Sequence, residues 1–276
     1  MRVRRKGFLV ATAATLALMA APALGGIIGT AGSITYKDAT ASLMNNEEVA
    51  IQMDCSAAKS ITGVGFGTDF LSLNPQSLRM YSANGAEIRV SASGNDNLTA
   101  YTMCTTAKVK YVEASKQHLA VATGKIKAKC PNSKHVVGGG VDAGQRSIES
   151  TYPFDSKDKG KKPDDGWKAT TSGIQAATVE LTAACSPVEP KYTKEKRSLS
   201  PSTSSAVIPN CKGDTNLASV GAHLTGPIQY GSLNSMSPRD DDDAGSVPGD
   251  EVLVNMGNDG GNPDSEKLTG YAVCID

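Results

Sequence analysis

The sequence predicts an all-β protein made of three internal repeats, each of about four short strands, set around a pseudo-threefold axis; three tandem small β domains are the alternative. Three observations carry this. Apolar residues recur with period two, as in VAIQMDC (49–55), where Val49, Ile51 and Met53 share one face, and in GKIKAKC (124–130), where Ile126 and Ala128 oppose Lys125, Lys127 and Lys129. No stretch keeps a helical period; residues 40–50 and 113–122 come nearest, and both are short. Finally, four features occur in the same order three times: a cysteine, a small triplet, Ser-x-x-Pro and a second cysteine.

In chain order, MRVRRKGFLVATAATLALMAAPALGG opens with Arg2, Arg4, Arg5 and Lys6, followed by an apolar run of about 14 residues and a small-residue site. That is the layout of a secretory signal peptide over residues 1–25, and the run is short of the roughly 20 residues that span a bilayer. The expected location is therefore secreted and extracellular, without a membrane span. The first repeat is placed at 26–110, the second at 111–190 and the third at 206–276. The charged stretch KYTKEKR and the following SLSPSTSS, 191–205, read as a protease-sensitive linker between the second and third.

Within the repeats, the first cysteines Cys55, Cys130 and Cys211 are each followed after eight residues by a triplet: Gly63-Val64-Gly65, Gly138-Gly139-Gly140 and Ser219-Val220-Gly221. Ser72–Pro75, Ser150–Pro153 and Ser235–Pro238 come next. A β-type run follows in each copy (87–93, 166–172 and 251–257), and the copies close on Cys104, Cys185 and Cys274. Gly, Pro, Asn, Asp and Ser fill the gaps. A phosphate loop needs glycines that open a helix. The residues after Gly140, VDAGQRSIES, have no helical pattern, and the triplet recurs with the cysteines. The glycines are thus expected to be architectural, at positions where strands from different copies approach one another.

Six cysteines in an exported chain imply disulfides. Because equivalent positions should pair equivalently, the expected bridges lie within copies: Cys55–Cys104, Cys130–Cys185 and Cys211–Cys274. Pairing between copies around a ring is the other symmetric scheme. Closing a loop of about 50 residues contributes about 4 kcal/mol by the chain-entropy estimate, which matters in a chain with 5% aromatic residues.

The second copy, with Cys130-Pro131, Gly138 to Gly140, Ser150 to Pro153, Gly166-Trp167 and Cys185, resembles a repeat of exported actinobacterial proteins. The first and third copies lack Cys-Pro and Gly-Trp. More distantly, three four-stranded copies with disulfides resemble the β-prism of vitelline membrane outer layer proteins. The resemblance covers about 225 residues; it implies export and a β-prism-like plan and transfers no catalytic residue.

Chemistry is sparse. Without residues 1–25 the net charge is −4, distributed as −1 over 26–110, +5 over 111–197 and −8 over 198–276, which gives no basic excess for nucleic acid. His118, His135 and His223 fall at different places in their copies and read as surface or loop histidines. No zinc-protease, nucleophile-elbow or cysteine-cluster motif appears. Asp240, Asp242 and Glu251 take positions 1, 3 and 12 of a calcium loop, but Ala244 and Pro248 occupy two others and no helices flank the run. A solvated acidic loop is the plainer reading, with calcium the one cofactor it leaves open. Asn97-Leu98-Thr99 is a glycosylation sequon.

Three functional readings stand: a non-enzymatic binding protein for a glycan or other ligand of the cell surface or matrix, a structural protein of the cell exterior, and a secreted hydrolase with two facing carboxylates. Tyr152, Phe154, Trp167 and Tyr230 are the aromatics on which a sugar would stack, and are expected near loop tips. The oligomeric state is not readable from the sequence.

Overall fold

Alternating runs rich in Val, Ile, Thr and Ala, broken by turn residues, fold as strands that bury one face. The structure, a computed structural model, describes residues 2–6, 26–31, 34–68, 73–156, 162–163, 165–213, 215–225, 231–239, 251–258 and 266–276; for 2–6, 26–31 and 231 it describes the backbone alone. These residues form twenty strands and no helix. Two lie ahead of the repeats: β1 (Arg2–Lys6), in the segment read as a leader, and β2 (Gly26–Ala31).

The first copy holds β3 (Ile34–Leu43), β4 (Glu48–Asp54), β5 (Ser60–Thr68), β6 (Leu73–Met80), β7 (Gly85–Ala92) and β8 (Asp96–Thr105). The second holds β9 (Lys110–His118), β10 (Gly124–Lys129), β11 (His135–Asp142), β12 (Ser147–Phe154), β13 (Gly166–Ser172) and β14 (Ala177–Ser186). The third holds β15 (Lys191–Leu199), β16 (Ser204–Val207), β17 (Asn216–Thr225), β18 (Gly231–Arg239), β19 (Glu251–Asn258) and β20 (Glu266–Ile275).

Each copy therefore has six strands where the sequence predicts about four. The unpredicted ones are the first and fourth of each copy. First strands β9 and β15 share the burial pattern of a border strand, with almost every residue half-buried or exposed until the last. Without a buried face there is no alternation to read. Fourth strands β6, β12 and β18 contain Pro75, Pro153 and Pro238, which argue against a strand in sequence.

Residues 191–199, read as linker, are β15, paired through nine residues with β20, so the third copy begins at Lys191 and not at 206. The Ser-x-x-Pro alignment also shifts in the first copy. Register places Ser77, not Ser72, with Ser150 and Ser235, because all three follow a β-bulge, at Pro75/Ser77, Ile148/Ser150 and Leu233/Ser235. The bulge, and not the proline, sets the pairing.

The sheets are shared between copies in a cycle. Sheet I runs β1-β4-β7-β6-β11-β14-β9, sheet II runs β10-β13-β12-β17-β20-β15, and sheet III runs β16-β19-β18-β5-β8-β3-β2. Apart from β1 and β2, every sheet joins the second, fifth and fourth strands of one copy to the third, sixth and first strands of the next, and the third copy closes onto the first. The seam between copies is a ladder of one or two residue pairs: Leu78–Val141, Thr151–Ala222 and Met236–Phe66 in the three sheets.

The glycine triplets sit where the copies meet. A Cβ on Gly138 would lie 1.7 Å from Thr62 O and 2.8 Å from Ser219 Cβ, and one on Gly63 would lie 2.8 Å from Ser219 Cα. Thus Gly63, Gly138 and Ser219, equivalent in the three copies, pack on one another. Gly65 and Gly140 face the carbonyls of Met236 and Leu78 at 2.3 and 2.5 Å from an added Cβ, so they allow the seams to close. Gly139 has a third role: the ring of Trp167 lies 2.2 Å from where its Cβ would be. The architectural reading of the triplet rests on these contacts.

The bridges are Cys55–Cys104, Cys130–Cys185 and Cys211–Cys274, all within copies, and no cysteine is free. Each ties together the two sheets to which its copy contributes. Three tyrosines add links between copies. The Tyr36 hydroxyl donates to Leu217 O at 2.9 Å, that of Tyr111 to Ile61 O at 2.8 Å, and that of Tyr192 to Val136 O at 2.6 Å. Each acceptor is the residue that opens the third-strand bulge of another copy.

Candidate functional site: a lysine-bordered aromatic face

Sheet II buries one face and presents the other. Thr151 points inward, its Oγ1 accepting from Trp167 Nε1 at 2.7 Å, so Tyr152 points outward. Ladder register then places one outward row across six strands: Lys127 opposite Lys168, Lys168 opposite Tyr152, Gly221 opposite Tyr271, and Tyr271 opposite Lys194. A second row carries Lys125, Thr170, Ser150, His223, Thr269 and Lys196.

The rings on this face form one stack. Tyr152 lies over His223 with centroids 4.1 Å apart and beside Tyr271 at 5.8 Å, with planes within 13°. Gly221 lies between the two tyrosines in the ladder; a Cβ there would sit 3.1 Å from Pro153 Cδ and 3.2 Å from Tyr152 Cα, so the glycine allows β12 and β17 to approach closely. Lys168 Nζ stands 5.5 Å above the Tyr152 ring and Lys127 Nζ 4.9 Å above Phe154. Tyr152 and Phe154 are consequently only 7% and 6% exposed, while His223 and Tyr271 are half-buried and reach solvent.

Electrostatics follow from this packing. Burial, and then the cations Lys168, Lys125 and Lys196, push the His223 imidazole down to about 4, so the ring is neutral at physiological pH. Burial pushes the Tyr152 and Tyr271 phenols up to about 12, Tyr152 adding to the shift at Tyr271. Burial also lowers Lys168. Among the described residues, Lys125, Lys127, Lys168, Lys194 and Lys196 make no ion pair with a carboxylate.

At the β15 border the face opens into a cavity of about 610 Å³ lined by Tyr271, Tyr192, Pro163, Pro190, Lys162, Glu189, Lys191 and Lys194. Lys162 and Glu189 pair across it, and Lys191 reaches Asp276 at 3.6 Å. The walls are apolar rings and the rim is charged, a combination suited to a ligand with an apolar face and polar edges.

The repeat supplies an internal comparison. On sheet I, Gln52, Glu87, Arg79 and Glu113 occupy the positions of Lys127, Lys168, Tyr152 and Lys194. There Asp142, the counterpart of His223, accepts from Arg79 at 3.0 Å and Arg89 at 2.7 Å, closing an ion-pair network. On sheet III the same positions carry Leu253, Ser237 and Asp38, beside Tyr101 in place of Tyr271. Among the described residues, only sheet II combines stacked rings with lysines that make no ion pair.

The predicted site residues divide accordingly. Tyr152 and Phe154 belong to this face, on a strand and not at loop tips. Trp167 does not: it is fully buried, held by Thr151 and by the space at Gly139, and is a core residue. Tyr230, Asp240 and Asp242 lie outside the described residues, and Glu251 opens β19, bridged to Asn210. The described residues contain no group of three or more potential metal ligands. His118, His135 and His223, read as surface or loop residues, are all in strands. His118 is 3% exposed with Nδ1 2.9 Å from Thr171 Oγ1, a hydroxyl that also accepts from Arg146. His223, Tyr271, Lys168, Lys194 and Lys196 were not predicted as site residues. One readable signal was missed: Tyr36, Tyr111 and Tyr192 each stand nineteen residues before a first cysteine, which marks the first strands.

Comparison with protein-family models and with curated proteins gives no match. No helix among the described residues is long and apolar enough to cross a membrane.

Proposed function

We propose that the protein is a secreted, non-enzymatic β-repeat protein that binds a cell-surface glycan on the outer face of sheet II. Three disulfides fit an oxidising compartment, and with the leader-like N-terminus they support export. The cyclic sharing of strands supports a β-prism-like plan.

One observation carries the binding reading: the half-buried Tyr271 ring lines a cavity together with Tyr192, Pro163 and Pro190 and with the charged Lys162, Glu189, Lys191 and Lys194. Pyranose rings present an apolar C–H face to such surfaces and hydroxyls to the polar edge. The neutral His223 and the neutral phenols are groups that bind and orient. A glycan array probed with the disulfide-bonded protein and with Tyr271→Ala tests this. The expected result is retention of a defined glycan set by the wild type and its loss by the variant. An equal profile for both proteins, or no glycan retained by either, would overturn it.

A further inference from the structure

Resting on that reading, the geometry points to an anionic polysaccharide as the ligand, its sugar faces on Tyr271 and His223 and its acid groups on Lys125, Lys127, Lys168, Lys194 and Lys196.

The first argument is the cost of the arrangement. Lys127 and Lys168 are direct cross-strand partners, and like charges in that position destabilise a sheet. Neither has a carboxylate partner among the described residues. The fold does not require these cations. The equivalent positions on sheet I are Ala50, Gln52, Glu87, Glu113 and Ser115, and on sheet III Ala206, Leu253, Asp38 and Thr40 stand where sheet II has Lys125, Lys168, Lys194 and Lys196. Two faces of the same architecture are built without a cation at any of these places.

The second argument is reach. The rows run from β10 to β15 over five strand intervals, roughly 24 Å at about 4.8 Å each. Cations therefore lie at both ends of the ring stack and above it, where they meet an extended chain with charges spread along it better than a single small anion. The third concerns class. The cavity beside Tyr271 has apolar walls where a sugar face fits.

The test uses dextran sulfate and unmodified dextran, which share a sugar backbone and differ in charge, with a single-stranded oligothymidylate as the other polyanion. Binding to the full disulfide-bonded protein is measured by affinity electrophoresis. Dextran sulfate is expected to bind and dextran to bind at least tenfold more weakly. Combining Lys127→Gln, Lys168→Gln and Lys194→Gln should weaken dextran sulfate by about tenfold, the joint effect of two exposed charges and the half-buried Lys168. Lys212→Gln, an exposed control away from this face, should leave it unchanged. Raising ionic strength from about 0.01 to about 0.15 M, which shortens the Debye length from about 30 to about 8 Å, should weaken wild-type binding in the same direction. This arm does not depend on how the variants fold. Equal binding of both dextrans with no effect of the lysine changes would overturn the anionic assignment and leave glycan binding in place. No binding of either dextran, with a blank glycan array, would overturn both. Oligothymidylate bound as tightly as dextran sulfate would overturn the polysaccharide assignment.

Discussion

Gly139 and Trp167 show how one residue pair is adapted within a repeated frame. At the equivalent places the first copy has Val64 and Ala86, and the third has Val220 and Val252. The second copy moves volume from the third strand to the fifth: the indole fills the space that a valine occupies elsewhere, and its Nε1 is satisfied by Thr151. The prediction is a non-additive pair. Gly139→Val alone should cost about 3 kcal/mol or more by overpacking against the indole, and Trp167→Ala about 3–5 kcal/mol through the cavity it leaves. Together they rebuild the first copy's pair, so urea unfolding of the double variant should show a loss at least about 1 kcal/mol smaller than the added single losses. Additive losses would mean that the two side chains do not compete for the same space. Among the aromatics named from sequence, this is why Trp167 belongs to the core while Tyr152 and Phe154, with opposite parity relative to Thr151, lie on the outer face of the sheet beneath Lys168 and Lys127.

At the scale of the element, the first strands are the instructive ones. β15 has the composition of a solvated tether, KYTKEKRSL, yet its backbone pairs with β20 from Lys191–Cys274 to Leu199–Glu266. Lys194 and Lys196 face outward at the site, and such charges also keep a border strand from pairing with another chain. Tyr192 anchors it by donating to Val136 O. Limited trypsin digestion of the native oxidised protein should therefore leave the bonds after Lys194, Lys196 and Arg197 intact while exposed loop sites are cut. Early cleavage at these three bonds would restore the linker reading.

At the scale of the molecule, the cycle of shared sheets makes the copies interdependent. The second copy places β9, β11 and β14 in sheet I and β10, β12 and β13 in sheet II, so it completes neither. Its disulfide, Cys130–Cys185, links two half-sheets, and each half lacks the layer that covers its apolar face. Calorimetry of residues 26–276 should show one cooperative transition. Residues 107–190 expressed alone and oxidised should give an unfolded or aggregated product, since a unit of that size is marginal even with a closed core. A soluble second copy with dispersed amide signals would show that each repeat folds by itself. The binding face belongs to the same scale: Tyr152, Lys168 and Lys127 come from the second copy, and His223, Tyr271 and Lys194 from the third.

By itself the sequence determined what is local or periodic. Alternation in VAIQMDC and GKIKAKC marks β4 and β10, and the recurrence of cysteine and small triplet marks the three copies. Equivalence of the copies narrowed the bridges to two symmetric schemes, of which the structure has the one within copies: Cys55–Cys104, Cys130–Cys185 and Cys211–Cys274. The lysines on one face of β10 were legible for the same reason, because parity along a strand needs no partner. Tertiary structure decided everything that depends on which strand lies beside which. It joined β12 to β17 through one residue pair, Thr151–Ala222, and so brought Tyr152 beside His223 and, across Gly221, within 5.8 Å of Tyr271. It turned a lysine-rich stretch into the border of a sheet and gave each glycine of the second triplet a different neighbour. The physical reason is that strand pairing is non-local. Its register is set by bulges, by close backbone contacts at glycine and by the burial of opposite faces, and paired residues lie as far apart in the sequence as Phe66 and Met236.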